Sequence, residues 1–132
     1  MDAATRQLVR QRASDRCEYC GMPQASTPFL TFHMEHIRAQ QHLEDDSPNN
    51  LALACPHCNL HKGPNLTSID LATNDVVELF NPRQQVWADH FRIDEARIVG
   101  RTPTGRVTVR LLQMNSEVQI KIRKRLLLRG DF

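Results

Sequence analysis

The chain has 132 residues, of which 40% are hydrophobic and only 5% aromatic, and its formal net charge is +2. That length suits one domain with a modest core, and no apolar run of about 18 residues is present that could cross a membrane. The opening residues, Met1-Asp2-Ala3-Ala4-Thr5-Arg6, lack the apolar stretch of a secretory leader, so the expectation is a cytoplasmic protein with reduced cysteines. The small net charge conceals an asymmetry: residues 1–96 carry a net −5 and residues 97–132 a net +7. A basic C-terminal part on a nearly neutral chain points to an anionic partner, nucleic acid first, although a solvated basic face would look the same.

Good helix formers over residues 3–14, with Leu8 and Val9 as apolar anchors, predict a first helix. Cys17 to Gly21 reads as a tight turn. Alternation over Phe29 to Ile37 predicts a strand with His36 near its end. Glu44 to Asn50 is a polar loop, and Leu51-Ala52-Leu53-Ala54 a short buried strand. Pro56 suits the first turn of a helix running to Lys62 and stopped by Gly63-Pro64. Asp75 to Phe80 reads as a strand, and Gln84 to His90 as a short helix around Trp87, a residue placed in the core rather than on a base. Arg97–Gly100 and Gly105–Leu112 flank Thr102-Pro103-Thr104, which predicts a hairpin. Asn115 or Ser116 would cap a last helix with Val118, Ile122 and Leu126 on one face, though Val118, Ile120 and Ile122 also fit a strand.

All four cysteines fall in two identical spacings, Cys17-Glu-Tyr-Cys20 and Cys55-Pro-His-Cys58. Two such turns supply the four thiolates of a closed tetrahedral zinc site, clamping the 34 residues between Cys20 and Cys55. A redox dithiol needs only one such pair. A closed four-sulfur site leaves no coordination position for a substrate, so this zinc would be structural.

The run Cys17-x-x-Cys20, then Met34-Glu35-His36-Ile37, then Asn50-Leu51-Ala52-Leu53-Ala54-Cys55-x-x-Cys58-Asn59-x-x-Lys62-Gly63 resembles the HNH endonucleases, whose core is the ββα-metal, or His-Me, finger. A weaker likeness to the C-terminal part of some bacterial HNH proteins runs through Leu79-Phe80-Asn81-Pro82-Arg83, Trp87, His90-Phe91, Gly100 and Met114-Asn115. The resemblance implies an α+β fold: a small zinc-stabilised ββα-metal core with an N-terminal helix and a C-terminal strand and helix extension. One domain would span 1–132, with its core motif at 16–63 and its basic extension at 75–132. It implies that His36 is the general base toward water, that Asn50 braces the loop by hydrogen bonds to backbone, and that Glu35 and Asn59 hold a catalytic Mg²⁺ or Mn²⁺. One carboxylate and one amide would leave several positions on such an ion for water and phosphate. Adjacent strand residues point to opposite faces, so Glu35 and His36 can serve one target only if the strand bends or ends there. His33, His57 and His61 are alternatives for contact with metal or phosphate.

The function so implied is hydrolysis of DNA phosphodiester bonds, by nicking or double-strand cutting, leaving 5′-phosphate and 3′-hydroxyl ends in a bacterial or phage setting. Lys62, Arg101, Arg106, Lys121, Arg123 and Lys124 are the expected phosphate contacts, with Arg110 and Arg125 in the same basic segment. The alternative is a non-catalytic zinc module that binds nucleic acid or serves phage assembly. No helix-turn-helix or other base-reading element is visible, and nothing indicates the oligomeric state.

Overall fold

A computed structural model describes residues 1–132. Its elements, in chain order, are α1 (Ala3–Arg12), β1 (His33–His36), β2 (Leu51–Ala54), α2 (Pro56–Lys62), β3 (Thr67–Asp70), β4 (Asp75–Glu78), α3 (Trp87–His90), β5 (Phe91–Asp94), β6 (Arg97–Gly100), α4 (Pro103–Leu111) and α5 (Glu117–Leu128). The strands form three separate antiparallel pairs, β1 with β2, β3 with β4 and β5 with β6. This is the α+β architecture the sequence implies, with β1, β2 and α2 as its ββα centre. No helix is long and apolar enough to cross a membrane.

Side-chain caps mark the starts of α1, α2, α4 and α5. Asp2 caps α1 by accepting from Thr5 N at 2.8 Å. Cys55 is the N-cap of α2, Pro56 sits where a missing N–H costs nothing, and Gly63 ends the helix at a positive φ of 51°. Leu51–Ala54 is buried along its whole length. Arg12 donates to Pro48 O and Leu51 O at 3.0 and 2.7 Å, which ties the end of α1 to the start of β2.

Some expectations fail for physical reasons. The long strand from Phe29 shrinks to four residues, because Gln24 holds the preceding loop: its amide nitrogen donates to Leu30 O and its oxygen accepts from Phe32 N. The hairpin expected around Thr102-Pro103-Thr104 does not form. Arg97–Gly100 pairs backwards with Phe91–Asp94, and Thr102 caps α4 by accepting from Gly105 N at 3.0 Å. Thr-Pro there is an N-cap followed by N1, a helix start rather than a turn. Gly105 is required, since a Cβ would collide with the His90 carbonyl. Asn115 is not the last cap; its amide bonds both Ile98 N and Ile98 O at 2.8 Å and covers the free edge of β6. Ser116 caps α5, which is helical throughout, so the strand alternative for Val118–Ile122 falls. The buried face of α5 is Gln119, Arg123 and Leu126, while Val118 is 63% exposed.

One core of 19 residues joins the elements, from Val9 through the four cysteines to Leu112 and Leu126. Trp87 packs on it, stacked on Phe91 with ring centroids 4.9 Å apart and its indole N–H donating to Tyr19 O at 2.8 Å.

Candidate active site and zinc centre

The two CxxC turns converge. All four sulfurs are buried and lie within 4.8 Å of one another, and Cys20 Sγ is 3.8 Å from Cys55 Sγ. A tetrahedron with bonds of about 2.3 Å to zinc has sulfur–sulfur edges of about 3.8 Å, so the donor set and its spacing fit that ion. Hydrogen bonds from Cys17, then Cys20 and Cys58, hold the Cys55 thiol far below its ordinary value. The cluster joins the Cys17–Cys20 turn to the β2–α2 junction. Glu18 N donates to Leu53 O, and Leu53 N donates to the Glu18 carboxylate at Oε2, each at 2.8 Å, which seals the same seam. Arg83 pairs with Glu18 on its outer side.

His36 ends β1 opposite Leu51, and the pairing continues one step further through Ile37 N to Asn50 O at 2.8 Å. The backbone is therefore extended through His36, and Glu35 and His36 stay on opposite faces. The imidazole is partly open, at 19% exposure, with Nε2 lying 2.7 Å from Asp46 Oδ1. A carboxylate only accepts at neutral pH, so Nε2 carries the proton, and in the neutral ring the lone pair sits on Nδ1. The bond to His36 also keeps the Asp46 carboxyl below its usual range. Asp46 did not figure among the sequence candidates. It stands ten residues away in a polar loop, and only the folded loop brings it to the ring.

Asn50 closes that loop. Its nitrogen donates to Arg38 O and Asp45 O at 3.0 and 2.8 Å, and its oxygen accepts from Arg38 N at 2.9 Å. The side chain is 6% exposed, so it cannot contact a substrate directly.

Glu35 differs from the expectation of a metal ligand. It is buried on the face covered by α2, with Oε1 2.6 Å from Lys62 Nζ and Oε2 accepting from Tyr19 OH at 2.6 Å. Burial raises the Glu35 carboxyl above its ordinary value, and the Lys62 charge and hydrogen bonds from Lys62 and Tyr19 oppose that rise. Tyr19 remains a neutral donor, since burial first and the Glu35 charge second push its phenol well up. An ammonium already sits where a cation would approach this carboxylate. Glu35 with Asn59 therefore does not fit a ready-made Mg²⁺ or Mn²⁺ site. Asn59 is half-buried; its backbone N–H donates to Cys55 O at 2.9 Å, while its side-chain amide makes no hydrogen bond within the chain. Replacing Tyr19 by Phe should remove one of two partners of a buried charge and cost about 1.5–3 kcal/mol, readable as a lower denaturation midpoint at unchanged zinc content. An unchanged midpoint would show that the phenol does not support Glu35.

Lys62 needs a second correction. It is 2% exposed, and its ammonium also donates to Ile37 O at 3.0 Å, so it braces the backbone after His36 instead of meeting phosphate. Arg123 is likewise no phosphate contact. It is fully buried, donating to Ala96 O at 2.6 Å and Met114 O at 2.9 Å. Burial lowers its pKa, and the charges of Cys20, Cys58 and Cys55 act in the opposite sense; its guanidinium carbon lies 5.8 Å from the centre of the Phe132 ring. Arg106 pairs with Asp70 at 2.7 Å, and Lys121 lies 3.4 Å from Glu117 one turn away. Arg101, Lys124, Arg110 and Arg125 face solvent, Arg101 with one bond to Ala88 O. The basic segment is thus divided between the core, ion pairs and a few open cations. Among the histidine alternatives, His57 donates to Gln113 O and His61 to His57 O, with rings 4.3 Å apart. His33 is exposed on β1.

No curated protein and no solved structure matches the chain. The HNH endonuclease family model matches residues 17–65, the stretch that holds both cysteine pairs, His36, Asn50 and Asn59. With its four-cysteine cluster and ββα centre, the segment 17–65 is an HNH-family domain.

Proposed function

We propose that the protein is an HNH endonuclease that hydrolyses phosphodiester bonds in DNA, with His36 as the general base. The observation that carries this reading is the His36 ring itself: partly open, at the end of β1 in an HNH domain, with Nε2 fixed by Asp46 and Nδ1 left as the basic atom. Neutral imidazole has the right proton affinity to take a proton from water near pH 7. Asn50 and Lys62 hold the backbone on either side of the loop that carries Asp46, so ring and acceptor stay in register. Asn59 supplies an uncommitted amide from α2.

A non-catalytic zinc module that binds nucleic acid, or serves phage assembly, is the second reading. It is favoured by one observation, the engagement of Glu35 by Lys62 and Tyr19. Supercoiled plasmid incubated with Mg²⁺, Mn²⁺ or chelator separates the two. Under the nuclease reading the wild type converts plasmid to nicked or linear form, and His36→Ala lowers the rate by about 10²–10⁴-fold at unchanged zinc content. Equal rates for the two proteins would remove His36 as the base. No cleavage under any metal condition would favour the binding module.

A further inference from the structure

Resting on the nuclease reading, we propose that duplex DNA docks on the α1 side of β1, with Arg6 and Arg10 on its phosphates and Phe29 wedged at a base step.

Arg6 and Arg10 are one turn apart on α1 and therefore neighbours on its surface. Neither takes part in an ion pair or donates a side-chain hydrogen bond within the chain. Together with Thr31, His33 and Met34 they line an open cleft of about 380 Å³. Met34 lies two residues before His36 in β1 and shares its face, about 7 Å away. A gap of that size is spanned within two steps of a DNA strand, since each step rises about 3.4 Å along the axis and the backbone winds further around it. A phosphate in the cleft would therefore be a near neighbour of one beside His36. The catalytic half of the chain is acidic overall, so two uncommitted cations at this one place are the complement a polyanion needs.

The loop leading into Thr31 carries the second feature. Phe29 is 97% exposed and Leu30 54% exposed. The loop is braced: the Gln24 amide donates to Thr27 O at 3.3 Å and Leu30 O at 2.6 Å and accepts from Phe32 N at 2.8 Å. A rigidly presented aromatic tip, with no core residue to cover it and two free arginines across the adjoining cleft, has the composition of a wedge. Apolar side chains of this kind enter base steps and unstack them while nearby cations hold the backbone. No base edge needs to be read, in keeping with the lack of a sequence-reading element.

The test uses the full-length zinc-loaded His36→Ala protein, so that binding is read without cleavage, and a duplex carrying 2-aminopurine along one strand. The parent should bind, with fluorescence rising at one position as a base unstacks. Adding Arg6→Ala and Arg10→Ala should flatten the salt dependence of log K by about 1.8, two phosphates at about 0.9 each. Adding Phe29→Ala instead should abolish the fluorescence rise and weaken binding about tenfold, within the range of aromatic–base contacts. Arg6 and Phe29 are exposed and Arg10 is half-buried, and unchanged zinc content and melting would show the fold intact. A parent that binds DNA, with both variants matching its affinity, slope and fluorescence, would overturn this surface and leave the nuclease reading standing. A parent that binds no DNA would overturn both. A change in sedimentation with Phe29→Ala and none in DNA binding would show the tip to be a self-association contact, and would also overturn the proposal.

Discussion

Replacing Lys62 by Met is expected to lower stability by about 3–5 kcal/mol, the usual cost of leaving one partner of a buried ion pair uncompensated. Both side chains qualify as buried: Lys62 is 2% and Glu35 4% exposed, with 2.6 Å between their charged atoms. The loss has a pH signature. Burial already raises the Glu35 carboxyl, and the Lys62 charge is the largest influence opposing that rise. Without Lys62 the folded-state value climbs further above the unfolded one. An acid whose folded pKa is raised contributes full stability below its unfolded pKa and loses it as pH rises through the folded value. The deficit relative to wild type, measured by denaturant melts at each pH, should therefore widen as pH rises above the ordinary carboxylate range. The pair Glu35→Leu with Lys62→Met should recover most of the loss, because apolar replacement of both members of a buried pair is often near neutral. A Lys62→Met protein as stable as wild type at every pH would show that the pair carries no such energy. Retained cleavage in the double variant would show that Glu35 holds no catalytic cation, and lost cleavage in a stable double variant would return it to the chemistry.

The ββα centre was legible because its signals are local. Leu51–Ala54 is a compact apolar run, Cys55-Pro56 marks a cap and first turn, and Gly63 marks the stop. Alternation along β1 placed Glu35 and His36 on opposite faces, but not what each face meets. Lys62 reaches Glu35 from 27 residues away, and Asp46 reaches His36 across a loop; neither contact leaves a periodic trace. Arg123 was misleading for a related reason. In a run of basic residues it looks solvated, yet it shares the inner face of α5 with Gln119 and Leu126, where two backbone carbonyls, Ala96 O and Met114 O, accept from its guanidinium. A net charge of +7 for residues 97–132 counts such buried and paired cations equally with free ones. The helix at α4 was hidden because Thr-Pro-Thr-Gly satisfies turn chemistry and N-cap chemistry alike, and packing against His90 chose the second.

The largest effect should come from the cysteine cluster. Wild-type protein should contain one zinc per chain, and Cys55→Ser should lose that metal together with much of the fold. Binding of structural zinc contributes about 10–16 kcal/mol near neutral pH in small domains, more than a chain of this size has in reserve. Serine makes the test specific. Cys55 is the N-cap of α2, with its sulfur accepting from Cys58 N at 3.4 Å, and serine is itself a good cap. A hydroxyl therefore preserves the helix start and removes the thiolate. What collapses should be the seam the metal joins, where the Cys17–Cys20 turn meets the β2–α2 junction, and with it the paired strands that set His36. Arg123 sharpens the expectation. Zinc with four thiolates carries a net −2, and the charges of Cys20, Cys58 and Cys55 favour the charged form of the buried Arg123 guanidinium. Without the thiolates that cation would be buried with two carbonyls and the Phe132 ring and no anion, which adds to the loss. Elemental analysis and circular dichroism of the two proteins decide the matter. A folded, zinc-free wild type, or a serine variant with full zinc content and unchanged melting, would rule out the clamp.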